Sequence, residues 1–514
     1  MTNTMTRAAF VAALSLGASS PALAQTLDEK VNEIFASSTG WFVDFIFSPF
    51  PGTSFPWIVA WLVVAATVFT IYFGFIQFRA FPHSIALVRG DYADPDDAGE
   101  VSHFQALATA LSGTVGLGNI AGVAVAVGIG GPGATFWMIL AGLLGMASKF
   151  TECTLAVKYR NEYPDGTVSG GPMYYMTKGM AQRGLPGGRI LAVMFAVFCI
   201  LGALGGGNMF QANQAHAQIT NVVGNYPGWI TGVVFAAIVF AVIVGGLKSI
   251  ARVTEKVVPF MGVMYVSVAL VIVLANYDKI GWAFGQIFAG AFTGLGVAGG
   301  MVGALIQGFK RAAFSNEAGV GSAAIAHSAV RTKEPATEGF VSLLEPFIDT
   351  VVICTMTALV IIITGQLVSD PETGRYVLAE GGKMIATVDG NTGVALTSAA
   401  FSSTFGWFKY VLALAVILFA FSTMISWSYY GLKAWTYLFG EGHIKELIFK
   451  LIFCAFVVVG AAASLGPVID FSDAAIFAMA VVNIAALYML MPIVRDEVNG
   501  YLSRLKSGEI TKHR

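Results

Sequence analysis

Ser112-Gly113-Thr114-Val115-Gly116-Leu117-Gly118-Asn119 interrupts an apolar stretch long enough to cross a bilayer. A second polar, glycine-rich interruption, Phe314-Ser315-Asn316-Glu317-Ala318-Gly319-Val320-Gly321-Ser322, does the same in the second half of the chain. A helix in hydrocarbon satisfies its own peptide groups. Breaking it leaves N–H and C=O groups bare, at several kcal/mol each unless they face protein, water or a ligand. Two such breaks point to paired discontinuous helices around one central site, an arrangement of transporters more than of enzymes.

The rest of the chain agrees with a membrane setting. Its 514 residues are 56% hydrophobic, with a mean hydropathy of +0.73. Charged residues make up 11%, against about 25% in soluble domains. So few charges cannot clothe a soluble surface of this size. The formal net charge of -1 provides no basic field for nucleic acid. Cys153, Cys199, Cys354 and Cys454 fall in or beside apolar segments without ligand or pairing spacing, and read as small buried hydrophobes. The histidines are scattered, so no metal centre or hydrolase constellation is assembled in sequence. The chain reads as a non-enzyme without a resident cofactor or obligate protein partner.

Eleven membrane helices are expected, at 57–78, 105–128, 134–156, 190–219, 228–248, 257–276, 299–327, 346–366, 407–436, 447–465 and 473–493. Lys and Arg cluster after alternate helices: Lys158, Arg160, Lys178, Arg183 and Arg189; Lys248, Arg252 and Lys256; Arg331 and Lys333; Lys445 and Lys450; and the C-terminal Arg495, Arg504, Lys506, Lys512 and Arg514. This alternation places the N-terminus outside and the C-terminus in the cytoplasm of a bacterial-type inner membrane. Residues 1–25 fit that orientation. Arg7, the apolar stretch Ala8–Leu16 and Ala22-Leu23-Ala24 resemble a secretory signal, with an uncleaved tail as the bland alternative. An exported segment, 26–56, follows.

The helix at 57–78 stands apart. The next five, 105–276, and the last five, 299–493, each begin with the interrupted helix, and a tail, 494–514, follows. Five crossings per group invert the second group relative to the first. The expected fold is therefore all-α and polytopic, with two inverted five-helix repeats. Residues 367–406 form the longest outside loop, with turns and a short hairpin. Residues 279–293 read as an amphipathic interfacial helix.

At the first break, Gly113, Gly116 and Gly118 let backbone amides approach a small ligand, and Ser112, Thr114 and Asn119 add short oxygen-bearing side chains. A soluble phosphate-binding loop is rejected, because no Gly-Lys-Ser/Thr triplet closes the stretch. At the second break, Ser315, Asn316 and Ser322 supply polar groups, and Gly319 and Gly321 permit close approach. Glu317 requires a partner, a proton or a cation at this depth. Lys310 and Arg311 are candidate partners. A lock between helices is weighed against substrate or Na⁺ contact and against proton coupling.

Two polar stripes add candidates. Asn208 and Gln211 share a helical face; Gln211 can meet a substrate's amino or carboxylate group, or form a helix–helix bond. Thr423 and Trp427 share another face; Trp427 can wall a small cavity while Thr423 offers oxygen. His216 and His327 invite proton coupling, but neither has a carboxylate at helical spacing, and both read as satisfied interior or boundary residues.

Four motifs then resemble the alanine or glycine:cation symporter family: Thr114–Gly122, Gly130-Gly131-Pro132-Gly133-Ala134-Thr135-Phe136-Trp137-Met138, Gly170-Gly171-Pro172-Met173-Tyr174-Tyr175, and Phe314–Ser322. The likeness covers nearly the whole chain beyond residue 50. It departs at Ile139, where tryptophan commonly follows Phe-Trp-Met. The resemblance implies a leucine-transporter-like fold with one additional N-terminal helix. It also implies Na⁺-driven uptake of alanine or glycine, with H⁺ coupling in some members. Substrate contacts carried over are Gly113, Thr114, Gly116, Gly118, Gln211, Phe314, Asn316, Gly319, Thr423 and Trp427. For Na⁺ they are Ser112, Thr114 and Thr423 with nearby carbonyls. The expected function is a symporter of small neutral amino acids, alanine favoured; the alternatives are an H⁺-coupled symporter, an ion channel and a membrane enzyme.

Overall fold

A computed structural model of the protein describes residues 37–512 except Pro95, Asp165, 294–299, 366, 370–375, 381–382 and 386–392. The signal-like segment 1–25 lies outside these residues. The principal helices, in chain order, are α1 (Trp57–Tyr72), α2 (His103–Thr114), α3 (Gly118–Gly130), α4 (Gly133–Lys158), α5 (Gly188–Val223), α6 (Gly228–Ile243), α7 (Gly246–Ala275) and α8 (Ile280–Thr293). They continue as α9 (Gly300–Asn316), α10 (Ser322–His327), α11 (Pro335–Ile363), α12 (Val394–Thr404), α13 (Phe408–Phe439), α14 (His443–Ala462) and α15 (Leu465–Ser507). Among the described residues, six helices are long and apolar enough to cross a membrane, or seven if the bent pair α2–α3 is one span.

Both interruptions are real breaks. The Ser102 hydroxyl accepts from the Gln105 N–H, and the Gln105 side chain answers at the Ser102 N–H, so a capping box starts α2. Val115 leaves helical geometry at ψ 83, and α3 resumes with a π turn over Gly118–Gly122, bent by 50° from α2. At the second break α9 stops at Asn316. Glu317 takes φ 54, a left-handed conformation that costs an L-residue about 1–2 kcal/mol. Gly319 and Gly321 follow at φ 81 and 92, before α10 begins.

Several helix boundaries differ from the sequence expectation. α7 begins at Gly246 and carries Lys248, Arg252 and Lys256 on the helix; α11 begins at Pro335; α15 runs from Leu465 to Ser507. A charge ends the stretch that hydrocarbon tolerates, but it does not interrupt intrahelical hydrogen bonds, so these helices continue into the interface. α1 ends early, at Tyr72, because Gly74 and Phe75 turn left-handed at φ 60 and 57.

The all-α expectation holds for the spans and is corrected in the loops. β1 (Asn161–Glu162) pairs antiparallel with β2 (Val168–Ser169). The long loop holds an antiparallel sheet of β3 (Leu367–Ser369), β4 (Tyr376–Glu380) and β5 (Lys383–Ile385), followed by α12. The amphipathic segment forms α8, and its Gly290 sits against Gly133 so closely that a β-carbon on Gly133 would lie 2.2 Å from the Gly290 carbonyl carbon. α4 packs against α9 and α11, and α13 packs against α2, α5 and α7, which brings both breaks into the interior.

Candidate functional site

Two peptide N–H groups of the first break are not bare. The Gly116 N–H donates to Asn119 Oδ1 at 2.8 Å, and the Leu117 N–H donates to Gln211 Oε1 at 2.9 Å. This corrects the expectation of open amides: a buried N–H needs an acceptor, and two side-chain amides supply one each. Gln211 in turn donates to the Gly206 carbonyl at 2.8 Å, inside a π turn (Gly205–Met209) that interrupts α5. A run of three glycines permits that turn to lie against α13. A β-carbon on Gly207 would overlap the Trp427 side chain at 2.2 Å.

Around this knot the candidate residues converge. A β-carbon on Gly116 would sit 2.3 Å from Thr423 Oγ1 and 3.1 Å from Gln211 Oε1; on Gly118 it would meet Phe314 Cδ1 and Ser315 Cα at 3.4 Å. Gly206 lies against the other edge of the Phe314 ring, which packs edge-on against Phe210 at 5.2 Å between centroids. The Trp427 indole N–H donates to Glu317 Oε1 at 2.9 Å, and the Ser322 hydroxyl donates to Oε2. Glu317 therefore joins α13 to the second break. Among the described residues Thr423 Oγ1 is buried without a hydrogen-bond partner, and so is the Tyr430 hydroxyl, which overhangs Gly113.

Not every candidate faces this centre. Ser112 donates to the Ser422 carbonyl at 2.7 Å, and Thr114 turns back to the Ala110 carbonyl at 3.3 Å. Asn316 donates to Thr350 Oγ1 and caps the break through the Ala318 N–H, both at 2.9 Å. The Gly319 carbonyl accepts from Asn483 at 2.9 Å, and Asn483 also receives the Tyr175 hydroxyl. The Gly170–Tyr175 motif thus braces the second break from behind. Pro172 lies where any β-carbon on Gly321 would fall, at 2.7 Å. Asn208 spans to the Phe453 carbonyl at 2.7 Å, as a helix–helix bond.

Three features escaped the sequence reading. Lys310 and Arg311 do not pair with Glu317; both reach Asp473 on α15, Lys310 at 3.0 Å. α9 carries both side chains toward α15, and the Arg311 guanidinium lies over the Phe314 ring, 5.2 Å from its centroid. Second, Asp349 is fully buried. It accepts from Asn119 Nδ2 at 2.6 Å and from Thr350 at 2.7 Å, and it pairs with no basic side chain among the described residues. Cys354 completes this cluster, 3.3 Å from Asn119 and 3.4 Å from Ser315. Third, His327 has carboxylates from a different helix. Its Nδ1 lies 2.6 Å from Glu338 and its Nε2 lies 3.4 Å from Glu345. His103 meets Glu338 at 2.5 Å, and Lys149 lies 3.2 Å from Glu345 and 3.7 Å from Glu152. The signal was legible: Lys149 and Glu152 sit three apart, and Glu338 and Glu345 seven apart, in apolar helices.

These features define a multi-pass, leucine-transporter-like carrier with a buried polar site between two broken helices. The chain belongs to the sodium:alanine symporter family, whose family model matches residues 41–514. It is 39% identical over 447 residues to the sodium/alanine symporter AgcS of Methanococcus maripaludis, covering 87% of this chain and 94% of that protein. It is 32% identical to the amino-acid carrier protein AlsT of Bacillus subtilis (87% and 90% covered). It is 33% identical to a probable sodium/glutamine symporter, GlnT, of the same organism (87% and 89% covered). A solved structure, MhsT in complex with L-phenylalanine, matches with a TM-score of 0.51 at 14% identity, over 79% of this chain and 99% of that one, which speaks for the fold alone.

Proposed function

We propose that the protein couples inward Na⁺ movement to uptake of a small neutral amino acid, alanine favoured and glycine accepted, by alternating access. The observation that carries this is the meeting of the two breaks: Gly118 of the first lies against Phe314 and Ser315 of the second. Beside them, the Thr423 hydroxyl is buried next to Gly116 and has no hydrogen-bond partner among the described residues. Gln211, Thr423, Trp427 and Glu317 are each 2% exposed or less, so a substrate reaches this centre only when helices move. That requirement is alternating access in physical form.

The substrate lies between Gly113, Gly116 and Gly118 on one side and Phe314 on the other, with Gln211 and Thr423 as polar contacts. Trp427 forms the wall. The family set also includes Thr114, Asn316 and Gly319; the bonds of these three to neighbouring backbone and side chains make them shape the breaks rather than touch the amino acid. A wall of this kind rejects large side chains by volume, but one methyl is worth only about 1–3 kcal/mol, so alanine over glycine is a modest preference. Na⁺ takes oxygens from Ser112, Thr114 and Thr423 with carbonyls freed at the break. The Asp349 carboxylate, joined to the break through Asn119, supplies the negative charge that draws a cation this deep. Each Na⁺ entering a negative interior gains about 2.3 kcal/mol per 100 mV.

The membrane arrangement follows from the same reading. Adding α1, α6, the α9–α10 pair and α14 to the seven long spans gives eleven crossings. Residues 105–276 and 299–493 form two inverted five-helix repeats, with the N-terminus outside and the C-terminus in the cytoplasm. One observation favours a second reading, H⁺ coupling: the buried chain His103–Glu338–His327–Glu345–Lys149. Labelled alanine uptake into proteoliposomes, with Na⁺ and proton gradients imposed separately, decides between them. Accumulation on the Na⁺ gradient alone supports Na⁺ symport. Accumulation on a proton gradient in Na⁺-free buffer overturns it.

A further inference from the structure

Outside the central site, a cavity of about 380 Å³ opens along α7, lined almost wholly by apolar side chains. Leu111 and Val115 of the first broken helix form one wall, Pro259, Gly262 and Val263 of α7 another, and Ile348 of α11 the floor. Val115 stands at the break itself, and Ile348 directly precedes Asp349. Any object lodged here touches both halves of the machinery that must move.

In hydrocarbon an apolar groove is no attraction by itself, because lipid tails are as apolar as leucine. What selects an occupant is the charge at its mouth. At 3.6 residues per turn, Lys248, Arg252, Lys256, Pro259, Val263 and Val266 fall within an arc of about 80° on α7. The groove wall therefore continues, one turn further on, into three exposed basic residues. One acid, Glu255, borders the same arc; it is engaged by Gln105 Nε2 at 2.8 Å. The stripe keeps a net positive charge at the level where phospholipid headgroups lie.

We propose that this groove is a binding site for one anionic phospholipid, with its phosphate on Lys248, Arg252 and Lys256 and an acyl chain against Val263, Leu111 and Val115. The chain braces the first half-helix against α7 and α11, so the lipid tunes the rate at which the break rearranges. The proposal rests on the membrane reading above for the leaflet concerned, the cytoplasmic one. It does not depend on which solute is carried.

The test uses the full-length protein in detergent, exchanged against phosphatidylglycerol or phosphatidylcholine with identical acyl chains and read by native mass spectrometry without substrate or Na⁺. Each uncompensated basic residue is worth roughly fivefold in headgroup preference. The wild type is expected to retain one phosphatidylglycerol at least tenfold better than phosphatidylcholine. Lys248→Gln/Arg252→Gln/Lys256→Gln abolishes that preference. Gly262→Phe, whose β-carbon would meet nothing within 4 Å, displaces the retained lipid altogether while the protein elutes as a single species. Equal retention of both lipids by the wild type, or unchanged retention in Gly262→Phe, overturns the proposal. Because retention is read without transport, failure of alanine uptake in parallel vesicles counts against the proposed solute and not against the groove.

Discussion

Gly116→Ala tests whether the first break is part of the binding site. Gly116 carries no positive φ, so alanine meets no backbone penalty there. The obstacle is purely spatial: the new methyl would lie 2.3 Å from Thr423 Oγ1 and 3.1 Å from Gln211 Oε1. Thr423 can relieve the overlap by taking its other helical rotamer, but that swings its hydroxyl off the break. Gln211 can retreat, but then the Leu117 N–H loses its acceptor. Overpacking of this kind costs about 1–3 kcal/mol. Expressed at the site, it raises the alanine KM by roughly 5- to 150-fold. A second effect separates sterics from ligation. In Gly116→Ala/Thr423→Ala the nearest Thr423 atom left is its Cβ, at 3.3 Å, so the clash is largely gone. If the hydroxyl were packing only, the double variant would recover; if it serves Na⁺, the double variant keeps a weakened Na⁺ half-saturation. The assay is initial-rate alanine uptake into proteoliposomes across Na⁺ and alanine concentrations. A single variant with both constants within twofold of wild type would refute the reasoning.

Other consequences are directly measurable. Trp427→Phe removes the donor to Glu317 Oε1 and shortens the cavity wall; unfolding stability in detergent drops by about 1–3 kcal/mol, and unlabelled glutamine competes better against alanine uptake than it does in wild type. Lys149→Met leaves Glu345 and Glu152 buried without their shared cation; loss of one partner of a buried pair costs about 3–5 kcal/mol, seen as a lower unfolding midpoint that restoring lysine, but not arginine, repairs. His83, on the helix Phe81–Val88 outside the spans, has its pKa lowered by burial and then by Lys512. The unfolded chain thus binds more protons than the folded one near and below the ordinary histidine value, so stability present above about pH 6.5 declines as pH falls through it. Comparing unfolding midpoints at pH 7.5 and 5.5, His83→Gln shows a smaller acid loss than wild type.

Much of this protein was decided by composition and spacing. A chain this apolar must live in a bilayer, and a bilayer forbids unsatisfied backbone, so two glycine-rich interruptions had to be built around something. That local argument locates the breaks within Ser112–Asn119 and Phe314–Ser322 without knowledge of any contact; the backbone places them at Val115 and Glu317. It also brings Gly116, Thr423 and Gln211 under suspicion, because short polar groups in apolar helices need a reason. Tertiary structure decided who satisfies whom. Periodicity along one helix sees partners three or four residues apart; it could not see that Asn119 and Gln211 cap the first break, that Glu317 belongs to Trp427, or that Lys310 and Arg311 belong to Asp473. The same blindness hid how His103, His327 and Lys149 join Glu338 and Glu345, because these partners come from different helices. Helix ends were misread for a related reason: a charged residue marks where hydrocarbon stops, whereas a helix stops only when its backbone geometry changes, as at Gly74 and Phe75.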